Sequence, residues 1–219
     1  MLEITEKSKC CGCSACQAVC PHDAITMSRD ALGFAYPSVA ADKCVKCGLC
    51  IRVCDFNNKN EATAEACDTI KVSAARNRDD SVLENSQSGG VFTSLATDIL
   101  NGKGTVYGAA MNADFTVSHH RIDSVSSLPS LRGSKYVQSD MDDMFRRVRE
   151  DLESGRKVLF SGTPCQVAGL VSYIPERLRH NLHTVDFLLF LVNQDEIPFV
   201  HLLRIFHELM SYSQRLLFS

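Results

Sequence analysis

The chain has 219 residues, of which 45% are hydrophobic and 22% are charged, and its formal net charge is −3. This composition is typical of a globular protein, and the length allows a small module followed by one ordinary domain. The slightly acidic balance gives no indication of nucleic-acid binding. The longest apolar stretch, around Val185 to Val192, is too short to span a bilayer.

Eight cysteines near the N-terminus form two copies of the pattern C-x2-C-x2-C-x3-C, and Pro21 follows the first copy. This run is typical of bacterial ferredoxins that hold two [4Fe–4S] clusters, in which the fourth cysteine of each run ligates the other cluster. The pattern therefore predicts two metal sites. One is formed by Cys10, Cys13, Cys16 and Cys54, and the other by Cys44, Cys47, Cys50 and Cys20.

The two runs are separated by a constant offset of 34 residues, from Cys10 to Cys44 and from Cys20 to Cys54. Under this offset Cys11 falls on Val45, so we interpret Cys11 as a buried residue that ligates no metal. Structural zinc is an alternative, but zinc sites usually pair two C-x2-C units across a long spacer. A disulfide framework is the other alternative. Residues 1–7 contain no apolar signal core, which argues against export and predicts a cytoplasmic protein.

We expect residues 1–58 to form the ferredoxin-like domain, with short strands at residues 2–5, 24–27 and 34–36 and helical turns after Cys16 and Cys50. A unit this small buries little core, so its clusters should act as staples. Residues 59–68 are predicted to be a polar linker, and we assign Cys67 a structural role.

Strands and helices alternate in residues 69–219, which favours an α/β fold. Strands are predicted at residues 70–74, 105–110, 115–122, 157–160 and 182–192, and helices from Val91, Asp140, Pro164 and Ile197. The expected fold class is therefore α+β overall, with a small 2[4Fe–4S] ferredoxin domain followed by an α/β domain.

Two turns of this second domain are candidate binding elements. The turn Ser88-Gly89-Gly90 opens a helix and would present bare backbone N–H groups to an anion, although a plain N-cap is an equal interpretation. Cys165 follows a buried strand, at the position where open α/β sheets bind ligands. Its thiol either has a lowered pKa or packs as a small apolar group. We interpret the histidines at positions 119, 120 and 183 as structural or surface residues.

Three segments of the second domain occur in an order that resembles the family of coenzyme F420 hydrogenase/dehydrogenase beta subunits. They are Ser88-Gly89-Gly90-Val91-Phe92, Arg132-Gly133-Ser134-Lys135-Tyr136-Val137-Gln138-Ser139 and Leu159-Phe160-Ser161-Gly162-Thr163-Pro164-Cys165-Gln166. The resemblance covers most of residues 1–187 and implies a flavin-type second domain that binds FAD. The flavin-site residues it implies are Ser88, Gly89, Gly90, Ser134, Lys135, Gly162, Thr163 and Cys165.

The resemblance implies an iron–sulfur flavoprotein oxidoreductase that relays electrons between its clusters and the flavin. Its partner would be a redox protein or a small redox substrate such as F420. After Thr184-Val185-Asp186 the sequence departs from the family pattern, and residues 188–219 are divergent, so we expect a truncated or frame-shifted member. The alternative is a ferredoxin-type electron carrier, without enzymatic activity, whose second domain has lost flavin.

Overall fold

The computed structural model describes residues 9–31, 33–54 and 73–187. The strand expected at residues 2–5, the linker, Cys67, residues 70–72 and the helix expected from Ile197 lie outside these ranges. Among the described helices, none combines the length and apolarity needed to cross a lipid bilayer.

The described elements, in chain order, are α1 (Ala15–Ala18), β1 (Ile25–Arg29), β2 (Ala35–Val39), α2 (Leu49–Arg52), α3 (Asp80–Glu84), α4 (Val91–Asn101), β3 (Thr105–Met111), β4 (Val117–Ile122), a 3-10 helix (Val125–Leu131), α5 (Met144–Glu153), β5 (Val158–Gly162), α6 (Pro164–Tyr173), a second 3-10 helix (Glu176–Asn181) and β6 (Leu182–Asp186). The mixture of helices and strands agrees with the predicted fold class.

The 34-residue repeat of the sequence is also a repeat of the backbone. Helix α2 lies 34 residues after α1 at both of its ends. Before α1, Gly12 and Ser14 have φ angles of 65° and 66°, and their equivalents Lys46 and Gly48 have φ angles of 56° and 77°. Left-handed φ is costly for residues with a side chain. The two cysteine loops therefore share one backbone conformation, which Ser14 and Lys46 adopt despite this cost.

The second domain is built on a four-stranded sheet in the order β4-β3-β5-β6. Strands β3 and β4 pair antiparallel, whereas β5 pairs parallel with both β3 and β6. Strands β3 and β5 are the central pair. Almost all of their residues are buried, as is usual for strands covered on both faces of a sheet. The carboxyl ends of these two parallel strands therefore open at the same edge of the sheet.

Helix α5 begins later than the sequence suggests. We expected Asp140 to cap it, but the helix starts at Met144 with Asp143 at its N-cap. Asp142 has a left-handed φ of 42°, which interrupts any helical run from Asp140. Asp140 instead forms an isolated β-bridge with Ser118 and accepts a hydrogen bond from Arg29 at 2.9 Å. Residues 73–74, the described part of another expected strand, are irregular.

The ferredoxin residues share a hydrophobic core with the second domain. Ala15 and Ala18 of α1 are buried in the same cluster as Phe145 of α5, Phe160 of β5 and Leu170 of α6. Burying one such large apolar side chain stabilises a fold by about 1.5–3 kcal/mol. The packing of α1 on α5 and α6 therefore fixes where the cysteine loops lie against the sheet.

Arg146 of α5 adds a polar clamp to this junction. Its guanidinium donates hydrogen bonds to the carbonyls of Ala18 at 3.0 Å and Cys20 at 3.0 Å, and to the Asp23 carboxylate at 2.7 Å. The last carbonyls of a helix lack partners within the helix, so a cation satisfies them well. Arg146 thereby holds the loop that carries the last cysteine of the first run.

We expect Arg146→Ala to lower the anaerobic thermal midpoint by about 3–8 °C. Losing charge-assisted hydrogen bonds costs about 1.5–2 kcal/mol, and each kcal/mol shifts the midpoint of a chain this size by about 2–4 °C. Circular dichroism of the iron-loaded protein measures the midpoint. Arg147→Ala is the matched control, because the side chain of Arg147 donates to Asp143, the N-cap of the same helix, and among the described residues has no hydrogen bond to the cysteine loop. Equal shifts in the two variants would contradict the clamp.

Candidate functional site

The eight repeated cysteines surround two cavities. The first cysteine cavity has a volume of about 290 Å³, and its lining includes Cys10, Cys13, Cys16 and Cys54. The lining of the second cysteine cavity includes Cys20, Cys44, Cys47 and Cys50. Each cavity thus combines three cysteines of one run with the last cysteine of the other, the grouping that the sequence predicts. In the described part of the chain, no three Cys, His, Asp or Glu side chains stand close enough to ligate a single metal ion.

The first cysteine cavity lies against the second domain. Pro164, Cys165 and Ala168 of α6 line it together with the cysteine loop. Gly169 is also essential to this approach, because a Cβ placed there would lie 2.9 Å from the Cys13 sulfur. Burial raises the pKa of the Cys16 thiol to about 12, so iron bound here would displace a firmly held proton.

Two further thiols stand at this cavity. Hydrogen bonding of the Cys11 thiol with the sulfurs of Cys13 and Cys165 raises the pKa of Cys11 and lowers the pKa of Cys165 to about 6. The resemblance assigns Cys165 to the flavin site, but the structure places it on the first cysteine cavity. The interpretation that the Cys165 thiol has a lowered pKa therefore agrees with the structure. Hydrogen bonding with Cys11 is the principal cause.

A third cavity, which we call the sheet-edge cavity, opens beyond the carboxyl ends of β3 and β5 and has a volume of about 260 Å³. Seven of the eight residues that the resemblance assigns to flavin line it, namely Ser88, Gly89, Gly90, Ser134, Lys135, Gly162 and Thr163. The three sequence segments therefore converge on one cavity. Gln87 joins two of them, since its side chain accepts a hydrogen bond from the Ser134 N–H at 3.0 Å.

The glycine turn brings bare backbone to this cavity. Gly90 caps α4 with a left-handed φ of 70° and no side-chain hydrogen bond. A Cβ at Gly89 would lie 2.5 Å from the carbonyl oxygen of Ala75, so the turn requires glycine there. The first N–H groups of a helix have no partner within it, and they carry partial positive charge. The turn is therefore suited to an anionic group.

Two cations line the same cavity. Lys135 Nζ donates to the Arg132 carbonyl at 2.6 Å, and burial lowers the pKa of Lys135 to about 8. The Arg132 Nε is buried and has no hydrogen-bond partner among the described residues. The described lining contains no carboxylate. An orphaned buried donor beside a second cation and a helix N-terminus fits a ligand that carries negative charge.

His119 is a cavity residue that sequence reasoning missed. It is 3% exposed and stacks on Phe160, with 5.2 Å between ring centroids. Its Nε2 lies 3.0 Å from the Ser161 carbonyl oxygen, and its Nδ1 lies 2.9 Å from Ser139 Oγ. A carbonyl only accepts, so Nε2 carries the proton and Nδ1 accepts from Ser139. Burial lowers the pKa of His119 to about 4, which keeps the ring neutral.

The histidine begins a hydrogen-bond chain that shapes the cavity wall. Gln166 Nε2 donates to Ser139 Oγ at 3.1 Å, and the Thr163 N–H donates to Gln166 Oε1 at 3.0 Å. The chain thus ties β4 to the turn between β5 and α6. The inward position of His119 on β4, two residues after buried Val117, was the available sequence signal.

The first turn of α6 lies between two of the cavities. Thr163 lines the sheet-edge cavity, and Cys165 lines the first cysteine cavity. The two side chains are in contact, with Thr163 Oγ1 3.1 Å from Cys165 Sγ. The first turn of α6 therefore lies between the thiols of the first cysteine cavity and the cavity at the sheet edge.

Comparison with known proteins gives two curated relatives and one family model. Residues 9–58 match the family model for a 4Fe-4S dicluster domain. The chain is 26% identical to one of the subunits of the F(420)H(2) dehydrogenase of Methanosarcina mazei over 174 residues, which are 75% of this chain and 48% of the relative. It is 44% identical to one of the subunits of the Na(+)-translocating ferredoxin:NAD(+) oxidoreductase complex of Acetobacterium woodii over 45 residues, 20% of this chain and 12% of that one.

A solved structure of the F420-reducing [NiFe] hydrogenase complex from Methanosarcina barkeri also matches, with a TM-score of 0.34 and 21% identity. The match covers 42% of this chain and 32% of that chain. The chain spans about half the length of the first curated relative and a smaller part of the second. The resemblance predicted from the sequence is confirmed: the chain carries a 4Fe–4S dicluster domain at residues 9–58 and is similar over three quarters of its length to the F(420)H(2) dehydrogenase protein.

Proposed function

We propose that the chain is an oxidoreductase that relays electrons between two [4Fe–4S] clusters and an FAD bound in the sheet-edge cavity. The observation that carries the proposal is the first turn of α6, which lines the sheet-edge cavity at Thr163 and the first cysteine cavity at Cys165. We propose F420 or another small redox molecule as the substrate, from the likeness to the F(420)H(2) dehydrogenase protein.

The two cysteine cavities would hold the clusters. Four thiols at each cavity provide the all-cysteine ligand set of a [4Fe–4S] cluster. Because each set includes the last cysteine of the other run, binding of either cluster braces both loops. A bound cluster would carry one electron at a time. Met27 and Pro37 make part of the lining of the first cysteine cavity apolar, which would limit the access of water to a cluster bound there.

The sheet-edge cavity would hold the flavin. FAD carries a diphosphate, which matches the N-terminus of α4, Lys135 and the Arg132 Nε, for which the described residues offer no hydrogen-bond partner. Phe92 and Phe187 add an apolar wall, with their rings in an edge-to-face arrangement at 6.3 Å. The bound flavin supplies two-electron chemistry, while the chain binds and orients it. The neutral His119 chain keeps the Ser161–Thr163 turn in place beside it.

We expect Lys135→Gln to weaken FAD binding by about 5- to 30-fold, because a charge-assisted contact to the phosphate is lost. Titration of the apo-flavin protein with FAD, followed by quenching of flavin fluorescence, gives the Kd. Lys157→Gln is the control, since Lys157 is exposed and precedes β5 at the opposite end of the strand. Unchanged affinity in Lys135→Gln would contradict the assignment of this cavity to the diphosphate.

FAD affinity should also depend on pH. The pKa of Lys135 is about 8 in the free protein, so its charge is present below that pH and is lost above it. Affinity should therefore be constant below about pH 7 and fall as the pH rises through 8, by up to tenfold per unit. Lys135→Gln should flatten this profile. A wild-type Kd that does not change between pH 7 and 9 would exclude a role for the Lys135 charge.

Gly169→Val tests the position of the first cluster. A side chain at Gly169 would press on the Cys13 sulfur, so we expect loss of the first cluster and retention of the second, from about eight irons per chain to about four. Iron analysis and electron paramagnetic resonance of the reduced protein distinguish the two clusters. Gly102→Ala is the control, because a Cβ there meets no atom closer than 3.4 Å. Full iron content in Gly169→Val would place the first cluster away from α6.

A further inference from the structure

The segment just before α5 makes a further contact between the second domain and the first cysteine loop. Two backbone hydrogen bonds hold its end on β4. The Asp140 N–H donates to the Val117 carbonyl at 2.9 Å, and the His119 N–H donates to the Asp140 carbonyl at 2.8 Å. Residues 137–139, which directly precede this attachment, therefore have fixed positions relative to the sheet.

Neighbouring side chains of this segment serve different sites. Val137 and Ser139 line the sheet-edge cavity. Gln138 is not part of that described lining and instead lines a separate cavity together with Gly12 and Ser14 of the first cysteine loop. Successive side chains of a segment that pairs with a strand point to opposite sides. Gln138 is therefore the residue through which the segment reaches the loop.

The side-chain amide of Gln138 lies directly on the loop. Its Nε2 donates a hydrogen bond to the Cys11 carbonyl oxygen at 3.2 Å. A Cβ at Gly12 would lie 2.6 Å from the same nitrogen, so a side chain there would displace the amide. Gly12 also has a left-handed φ of 65°. Glycine at this position therefore permits both the turn of the loop and its contact with Gln138.

The peptide that Gln138 contacts is also directed towards a candidate ligand. The Cys11 carbonyl and the Gly12 N–H belong to one planar peptide group. Burial raises the pKa of the Cys10 thiol, and hydrogen bonding with the Gly12 backbone acts in the opposite direction, as an N–H donor to sulfur does. A donor on the carbonyl polarises a peptide and strengthens the N–H at its other end. A hydrogen-bond path therefore runs from Gln138 through one peptide to the Cys10 sulfur.

We propose that Gln138 is a positioning residue that raises the reduction potential of the first cluster. Hydrogen bonds to the sulfurs are among the factors that set the potential of a cluster, because they stabilise its more negative, reduced state. Gln138 orients and polarises the Cys11–Gly12 peptide, which makes such a bond. The inference rests on the cluster half of the proposed relay and not on the flavin. Its consequence is that the electron of a half-reduced chain is shifted towards the cluster beside α6.

The second cluster provides a reference within the same molecule. In its loop the equivalent peptide is Val45–Lys46, and both residues are exposed. The described lining of the second cysteine cavity comes from residues 20–50 alone, so Gln138 is not part of it. A change at Gln138 is therefore expected to act on one of the two clusters.

The test is an anaerobic redox titration of the flavin-free, iron-loaded full chain, followed by electron paramagnetic resonance. The wild type should take up two electrons, one per cluster, and Cys47→Ser identifies the step of the second cluster by changing one of its ligands. We expect Gln138→Met to favour the oxidised first cluster by about 3- to 10-fold, which lowers its potential by about 28–59 mV at 59 mV per tenfold. Gln138→Glu, which replaces the donor with a negative charge, should lower it further. The potential of the second cluster should not change.

Gln87→Met is the matched control, because it makes the same substitution at the sheet-edge cavity, where Gln87 accepts from the Ser134 N–H. Both of its potentials should equal those of the wild type, and both Gln138 variants should retain about eight irons. Unchanged potentials in Gln138→Met, or equal shifts of both clusters, would overturn the proposal. Loss of the first cluster from both Gln138 variants would also overturn it, since Gln138 would then retain the cluster rather than set its potential.

The same titration separates this inference from the proposed function. A chain that binds no FAD gives the same two steps, so that result would refute the flavin assignment and leave the role of Gln138 intact. A wild-type chain that takes up fewer than two electrons would contradict the cluster assignment and this inference together.

Discussion

The close approach of α1 and α6 is the constraint on which the rest of the structure depends. Gly169 allows it, because any side chain there would meet the sulfur of Cys13. Through this contact Ala15 and Ala18 enter the core of the second domain, and Arg146 secures the following carbonyls. The cysteine loops are thereby held in one position against the sheet. A ferredoxin module joined only by a flexible linker would lack this fixed geometry, and electron transfer depends steeply on geometry.

The same helix explains why the cavities lie side by side. Strand β5 ends at Gly162, and α6 starts two residues later at Pro164, so the turn between them faces both the sheet edge and the cysteine loop. His119, Ser139 and Gln166 hold that turn through hydrogen bonds whose directions are fixed by the Ser161 carbonyl. The buried polar chain is satisfied at each step, which makes the wall rigid. Of the two cysteine cavities, the first is lined in part by α6, whereas the described lining of the second comes from residues 20–50 alone.

Much of this could be predicted from the sequence because the relevant signals are local. The cysteine spacing grouped the thiols into the two sets that the structure brings together, and glycine and proline marked the ends of α4 and the start of α6. Long-range contacts were not predictable. Asp140 is a residue type favoured at helix N-caps and precedes a helical pattern. Its side chain instead pairs with Arg29, 111 residues away, and the left-handed φ of Asp142 interrupts a helix that would start at Asp140. The locations of Cys165 and His119 likewise depend on which elements pack together, which spacing does not encode.

The most direct test of the relay is a count of cofactors in one anaerobic preparation of the full chain, before and after incubation with FAD. We expect about eight irons, about eight acid-labile sulfides and about one flavin per chain, with the flavin retained through gel filtration. About eight irons without retained flavin would contradict the relay and would leave a two-cluster electron carrier. Iron well below that value in the wild-type chain would contradict the assignment of the two cysteine cavities as well.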